Sequence, residues 1–480
     1  MHGRASGSCA GRMLTHLNSM GGGFERRLAI APQVEPGGNW FTVFIAENGG
    51  RKSYLLRCLV EVALGRHQYV ADKGSSILLT APAKLPRRVI AISGTPLDRF
   101  PRTGTRDLKI RRRKMPDDFV YLGPRASNGM AGVAQSERSL VGSLLSNRYR
   151  LKERASLLTE AFSSLGLSPR IDVLLQGSSE RGGSREKIAE SLYTLEQSLG
   201  DRPEDEALEL YSTMEKYRAN IGKINRELER LSNKTEARLR LGIDHATIGA
   251  RTFIDVPMWE LLIRLGHVVI TGTRFHRIKH DETVLGDELS SGQWGWLGTF
   301  ASLAAEIRDD SLILVDEPEN SLHPRWQQEF IRELHAMVSN FRDCQVVVAT
   351  HSPLIASGIS EEWGSIRTLT KPTRKGAHVH SKELPTAFGW SASDVYGEMF
   401  GLESTRAPDF MDDANTALRK LSMRRPITDD EREQWIKQFR GRIDILPSHD
   451  SMRDVLEGII ARLKKQDTGE SPGHGKNKNA

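Results

Sequence analysis

The chain has 480 residues, 38% of them hydrophobic, a formal net charge of +7 and an isoelectric point near 9.2. That is room for two or three domains with packed cores, and a basic balance that permits a polyanionic partner without locating one. No apolar run reaches the roughly 18–20 residues needed to cross a bilayer, and no signal-like segment accompanies Arg4 and Arg12, so the expected place is the cytoplasm, away from membranes. Cys9, Cys58 and Cys344 lack metal-site spacing and fit inert thiols in a reducing compartment.

Residues 1–25 are Gly-rich and unpatterned, as a flexible extension would be. Trp40 to Ile45 reads as a strand, Ala46 to Ser53 as a Gly-rich loop, and Tyr54 to Val60 as an apolar-rich helix. Strand, loop and helix in this order cradle phosphate. The amides of Gly49, Gly50, Arg51, Lys52 and Ser53 would line the anion, Lys52 would reach the outer phosphates and Ser53 would ligate Mg²⁺, with Asn48 and Tyr54 flanking as further nucleotide contacts. Ala46 and Arg51 stand where the usual pattern has glycine. If Arg51 must adopt a left-handed backbone, the strain is about 1–2 kcal/mol, part of which Gly50 could absorb.

Ser76 to Leu79 and Val89 to Ile92 are strand-like. Arg106 to Lys114 holds six basic residues against one Asp, either a phosphate-contacting loop for DNA or RNA or a solvated loop tip. Asp98 with Asp107-Leu108-Lys109 has the residue types of a restriction-type nuclease at a spacing that chance supplies easily. Ile188, Leu192, Leu195 and Leu199, then Leu210, Met214, Tyr217, Ile221, Ile224, Leu228 and Leu231, alternate steps of three and four around a break at residues 200–203. This predicts a helical hairpin with a coiled-coil-like seam whose longer arm spans roughly 35–45 Å. It would serve dimerisation or partner docking, or pack on its own domain.

Leu289-Ser290-Ser291-Gly292-Gln293 precedes a helical run, so small residues and free amides would lie at a helix N-terminus. Leu312 to Val315 is a buried strand ending in Asp316 and Glu317, at the edge where parallel sheets bind ligands. Asp316 would position Mg²⁺ and Glu317 would polarise the attacking water. Gln345 to Ala349 is another buried strand, followed by His351 in position to bond a terminal phosphate. Ser365 to Thr370 closes the set. His378 and His380 share a face without forming a metal cluster, and after residue 369 no Glu accompanies an Asp-x-Asp pair of the kind a two-metal nuclease needs. Charged helices from Asp412 to Lys465 precede a polar tail, 466–480, expected to be disordered.

These motifs resemble those of ABC-type ATPases: Leu289 to Gln293 is similar to their signature sequence, Asp316 and Glu317 to Walker B, and His351 to the switch histidine. Pro318-Glu319-Asn320-Ser321-Leu322-His323-Pro324 resembles the RecF/SMC-like branch more than transporters. Phe388 to Asp394 and Phe400 to Arg406 resemble the C-terminal extension of stand-alone bacterial anti-phage defence ATPases of the Septu and retron-associated type. The resemblance implies an α/β fold, a P-loop ATPase head with a helical insertion and a helical C-terminal extension. It divides the chain into the extension 1–25, the first half of the ATPase lobe 26–180, the insertion 181–265, the signature-to-switch half 266–370, the helical extension 371–465 and the tail. It further implies ATP and Mg²⁺ as cofactors, an ATP-dependent homodimer in which Ser290, Ser291, Gly292 and Gln293 complete the other subunit's site, and a partner effector, a nuclease. Alternatives are a DNA-repair ATPase binding DNA directly and a nucleotide-bound scaffold that hydrolyses poorly.

Overall fold

Runs of consecutive apolar residues build the centre of the fold, because a strand covered on both faces cannot alternate with polar residues. The computed structural model describes residues 13–20, 23–46, 49–65, 68–70, 76–79, 85–101, 119–125, 132–178, 188–193, 205–232, 237–242, 246–248, 254–279, 282–370, 378–423 and 425–465. Its largest sheet contains β1 (Trp40–Ile45), β2 (Arg88–Ser93), β3 (Phe119–Leu122), β4 (Ser311–Asp316), β5 (Gln345–Thr350), β6 (Gly364–Thr370) and β7 (His380–Leu384). The order is β7-β6-β1-β5-β4-β2-β3, parallel throughout except for the edge pair β6/β7. Every residue of β2, β4 and β5 is buried.

The helices that matter for the site are α1 (Lys52–Ala63), α2 (Val133–Ser146), α3 (Ala155–Ser163), α4 (Ser291–Glu306) and α5 (Pro324–Val338). Side chains alternate across a strand, so Leu312, Leu314 and Asp316 share one face of the sheet. With Phe44, Val89, Ala91, Val347 and Ala349, the two leucines form a core with Leu55, Leu56 and Leu59 of α1. Each buried leucine stabilises by about 1.5–3 kcal/mol. Helix α4 packs Phe300 against Phe330 of α5, with ring centroids 5.4 Å apart.

Two antiparallel sheets flank this centre. The four-stranded one runs Arg27–Ala29, His16–Met20, Ser76–Leu79, Gln68–Val70. The five-stranded one runs Ala246–Ile248, Ala237–Gly242, Leu167–Gly177, Val268–Arg277, Thr283–Leu285. Its apolar face carries Phe275, which lies between Phe162 of α3 and Trp294 of α4, at 6.4 and 5.6 Å.

The predicted hairpin is only partly as expected. The run from 210 to 231 is not one arm: helices Asp205–Arg218 and Ile221–Ser232 meet at a turn where the Asn220 amide donates to the Tyr217 carbonyl and Asn220's own carbonyl accepts from Lys223 and Ile224. Met214, Tyr217, Ile224, Leu228 and Leu231 are buried within the domain. The same stretch, 181–265, also contributes the strands Ala237–Gly242 and Ala246–Ile248 to the five-stranded sheet. Residues 194–204, the predicted break among them, lie outside the described residues, as do 1–12, 102–118 and 466–480.

By contacts the chain divides into residues 1–395 and 396–480. Within the second unit, helices Pro408–Ser422, Asp429–Ile445 and Met452–Lys465 bury Ala414, Ala417, Phe439, Leu456, Ile459 and Leu463. Thr428 caps the middle helix with a reciprocal bond to Glu431, and Arg406 grips Asp450 in a two-pronged ion pair at 2.6 and 3.0 Å.

Candidate functional site

Alternation along β4 turns Asp316 under α1, where Ser53 in the first helical turn donates its hydroxyl to Asp316 Oδ1 at 3.1 Å. Asp316 is wholly buried and its Oδ2 has no hydrogen-bond partner. Burial pushes its carboxyl up to about 7, against the Ser53 hydrogen bond and with help from the nearby Glu317 charge. A buried, orphaned carboxylate oxygen beside a serine hydroxyl is a hard-oxygen set suited to a divalent cation, and Ser53 with Asp316 fits Mg²⁺.

Lys52 is buried at the start of α1. Its Nζ donates to the Ala46 carbonyl at 2.8 Å and meets His351, 2.8 Å from Nε2 and 3.3 Å from Nδ1. Burial pushes the ammonium down to about 8, opposed by the charges of Glu317, Glu319 and Asp316. His351 is lowered too, by burial first and Lys52 second, which keeps the imidazole neutral and able to accept from the ammonium.

Arg51 takes the left-handed backbone conformation, φ 63° and ψ 23°, that its place before Lys52 demands. Gly49 has φ 81°, but Gly50 is not among the positive-φ residues, so the strain stays on Arg51 rather than passing to Gly50. The Arg51 guanidinium fills the space a side chain on Gly23 would need. Tyr54 stacks on Phe24 at 5.7 Å and 18°, supporting the loop from the side. The N-cap residue Arg51 makes no side-chain cap bond to α1. Asn48 lies outside the described residues.

Glu317 leaves β4 with φ 47°. One oxygen accepts from Asn320 Nδ2 at 3.1 Å and the other lies 3.7 Å from His351 Nε2. Gly94 donates its amide to the Asp316 carbonyl, and a Cβ there would overlap the Glu317 carbonyl. Glu319 receives the His351 amide at 2.5 Å and the Thr350 hydroxyl at 2.8 Å, and burial pushes its carboxyl upward. Ser352 donates to Gln327 Oε1 at 2.7 Å.

Lys52, Ser53, Asp316, Glu317 and His351 therefore converge, while the signature turn stands elsewhere. Ser290 caps α4 in a reciprocal pair: Gln293 N donates to Ser290 Oγ and Ser290 N to Gln293 Oε1. Ser291 is exposed and Gly292 buried. A Cβ on Gly292 would sit 2.6 Å from the Ser321 carbonyl oxygen and 3.1 Å from the Trp326 ring. Gln327, Gly94 and Gly23 are not picked out by the motifs, while Glu319 and Asn320 stand in the segment Pro318 to Pro324, and Thr350 beside His351, without a role read for any of the three.

Asp98, half of the nuclease-like pattern, is occupied structurally. It accepts from Tyr121 at 2.6 Å, Arg125 at 2.8 Å and the Phe100 amide at 2.9 Å; Asp107 to Lys109 lie outside the described residues. Burial pushes the Cys58 and Cys344 thiols up to about 12, the state of unreactive sulfur. Among the described residues no helix is long and apolar enough to cross a membrane.

A largely parallel sheet with a glycine-bearing loop at the head of α1 and paired acids at the end of β4 is an α/β arrangement similar to that of P-loop ATPase heads. Residues 160–357 match the family model described as "AAA domain, putative AbiEii toxin, Type IV TA system". The chain is 26% identical over 170 residues to the Septu protein PtuA of Bacillus thuringiensis, covering 32% of this chain and 37% of that one. It is 24% identical over 227 residues to the "Retron Vc95 probable ATPase" of Vibrio cholerae serotype O1 biovar El Tor, covering 41% and 43%. The chain thus spans about two fifths of the length of these relatives. Among solved structures, the Smc head domain with an extended coiled coil, bound to the C-terminal domain of ScpA, from Pyrococcus furiosus superposes with a TM-score of 0.30 at 13% identity, over 77% of this chain and 95% of that one. Stu0660 of Streptococcus thermophilus does so at 0.32 and 9%, over 96% of each.

Proposed function

We propose that the protein binds ATP with Mg²⁺ between two copies of itself, hydrolyses it slowly, and uses the closure to regulate a partner effector, a nuclease acting in anti-phage defence. The observation that carries this reading is the meeting of Lys52, Ser53, Asp316, Glu317 and His351 around a buried, orphaned carboxylate oxygen. Ser53 and Asp316 would hold the metal, which supplies charge neutralisation at the β- and γ-phosphate oxygens. Lys52 and the amides of residues 49–53 bind the phosphates. Glu317 orients a water and takes its proton, and neutral His351 donates a hydrogen bond to the terminal phosphate once Lys52 turns to the anion. The strained Arg51 and the Lys52–His351 contact, which must open first, both favour slow turnover. Ser290 and Ser291 are exposed, and Ser290 is bonded to Gln293 of its own helix, which supports completion of the site by a second copy. The effector reading rests on the resemblance to Septu and retron-associated ATPases.

ATP turnover by the purified chain tests the enzyme, with Lys52→Ala and Glu317→Gln as controls. Turnover indifferent to both substitutions overturns the assignment. Light scattering with and without ATP tests the dimer, and co-purification with neighbouring gene products tests the effector.

A second reading, direct binding of DNA or RNA, is favoured by the outer face of the five-stranded sheet. There Arg240, Asp172 and Arg274 stand in register on adjacent strands, with Arg170 and Arg238 two residues along. Arg238 and Arg240 are 45% and 43% exposed around an Asp172 that is 2% exposed. Salt-dependent binding of nucleic acid, lost in Arg238→Glu/Arg240→Glu, would support it. The basic run 106–114 lies outside the described residues.

A further inference from the structure

Three hydrogen bonds tie the switch loop to the segment following the paired acids. Glu319 takes the Thr350 hydroxyl and the His351 amide on its two oxygens, and Gln327 takes the Ser352 hydroxyl. Gln327 is itself fixed, its Nε2 donating to the Leu322 carbonyl at 3.0 Å. Thr350 Oγ1 is also the acceptor for the Ser352 amide at 2.9 Å, so three consecutive loop residues are held as a unit. The same segment seats the signature turn, through Ser321 and Trp326 against Gly292 and through Trp326 packed 5.8 Å from Trp296 of α4. Its first half is stiff, with Glu317 and Ser321 in the left-handed region, conformations that persist only where surrounding contacts enforce them.

We propose that Glu319 is a positioning residue for His351, and that residues 317–327 form a strut joining the terminal-phosphate sensor of the site to the signature turn of the same chain. The proposal rests on the ATPase reading for its kinetic consequence and on the geometry alone for the clamp. Glu319 touches neither Lys52 nor the Ser53–Asp316 pair in the bonds it makes. Its carboxylate accepts from the Thr350 side chain and the His351 backbone, so its hydrogen bonds set where the imidazole stands, while its charge reaches Lys52 only through space. Seating of Gly292 against a second subunit would press on Ser321 and Trp326, and through Glu319 and Gln327 would move the His351 loop.

The test compares Glu319→Ala, Glu319→Gln and Thr350→Val in the full chain. Glu319→Ala should lower kcat at least tenfold with KM for ATP within about threefold. Glu319→Gln should restore a substantial part, because its amide oxygen still accepts from the His351 amide and its NH₂ can donate to Thr350. In a His351→Ala background, Glu319→Ala should cause little further loss, the non-additivity expected of residues acting as one unit. Hydrogen exchange without nucleotide should accelerate in the peptide covering 348–353 in Glu319→Ala and Thr350→Val, while the β4 peptide stays protected. Unchanged exchange at 348–353 overturns the clamp. Equal losses from Glu319→Ala with and without His351 overturn the positioning role. If the wild type turns over no ATP, the ATPase reading fails by itself and exchange still decides the clamp.

Discussion

The Lys52 ammonium stands 2.8 Å from His351 Nε2, so the cation proposed to receive the outer phosphates and the imidazole proposed to sense the terminal one hold each other. The pair leaves Lys52 a buried charge with a neutral partner, because the acids Glu317, Glu319 and Asp316 act on it only through space. A charge placed this way is kept for binding, at a cost to folding.

Replacing Lys52 by Met should therefore stabilise the nucleotide-free protein. The folded-state pKa, about 8, lies below the ordinary 10.5, so the charged form is penalised by folding fully below pH 8 and not at all above about 10.5. Lys52→Met should raise the unfolding free energy by about 1–3 kcal/mol at pH 7, with the gain shrinking as pH climbs from 8 to 10.5, and should abolish ATP binding. Denaturant titrations at pH 7 and 9.5 check this; a loss of stability of equal size at both would refute the burial argument.

Metal binding should depend on pH through Asp316. Its carboxyl is held up to about 7 by burial, and proton and cation compete for the same oxygens. Mn²⁺ affinity of the nucleotide-free protein, read by EPR, should fall about tenfold between pH 8 and pH 6. Asp316→Asn should bind weakly and without that pH dependence.

Arg51 and Gly23 should be coupled. Gly23→Ala places a Cβ where the Arg51 guanidinium lies, on a backbone at φ 75°, and should cost about 1–3 kcal/mol. In an Arg51→Gly background the steric part should vanish. Arg51→Gly alone removes about 1–2 kcal/mol of left-handed strain, partly offset by the greater chain entropy of glycine, and should raise ATP turnover. A double-mutant cycle in urea measures the coupling, and an additive result would deny it.

Gly292→Ala should separate nucleotide binding from assembly. The new Cβ would meet a backbone oxygen, Ser321 O, at 2.6 Å, and no flexible side-chain end is there to yield. ATP affinity at the Lys52 loop should remain within about threefold, while ATP-dependent self-association, followed by sedimentation, should be lost. Retained association would remove Gly292 from the interface.

Much of this protein is local in origin. The all-apolar runs at 89–92, 312–315 and 346–349 read as buried strands, and a glycine-bearing loop before Lys52-Ser53 or a Ser290/Gln293 pair before an apolar helix needs no distant partner to suggest its chemistry. Arg51 is visible in the sequence as standing where the usual pattern has glycine, while its left-handed backbone is a finding of the structure. What a period of three and four could not show was the turn at 219–220, because the seam residues stay in phase through it; there the Asn220 amide donates to the Tyr217 carbonyl and the following helix packs on strand Leu167–Gly177. The contacts that make the site were decided by strand order. Ser53 meets Asp316 across 263 residues, Lys52 meets His351 across 299, and Glu319 reaches Thr350 because β4 and β5 are parallel neighbours whose ends emerge together. Amino-acid sequence determined which charged and hydroxyl groups this protein offers a candidate phosphate and metal site; the parallel sheet, by bringing strand ends from distant parts of the chain to one edge, decided which of them touch.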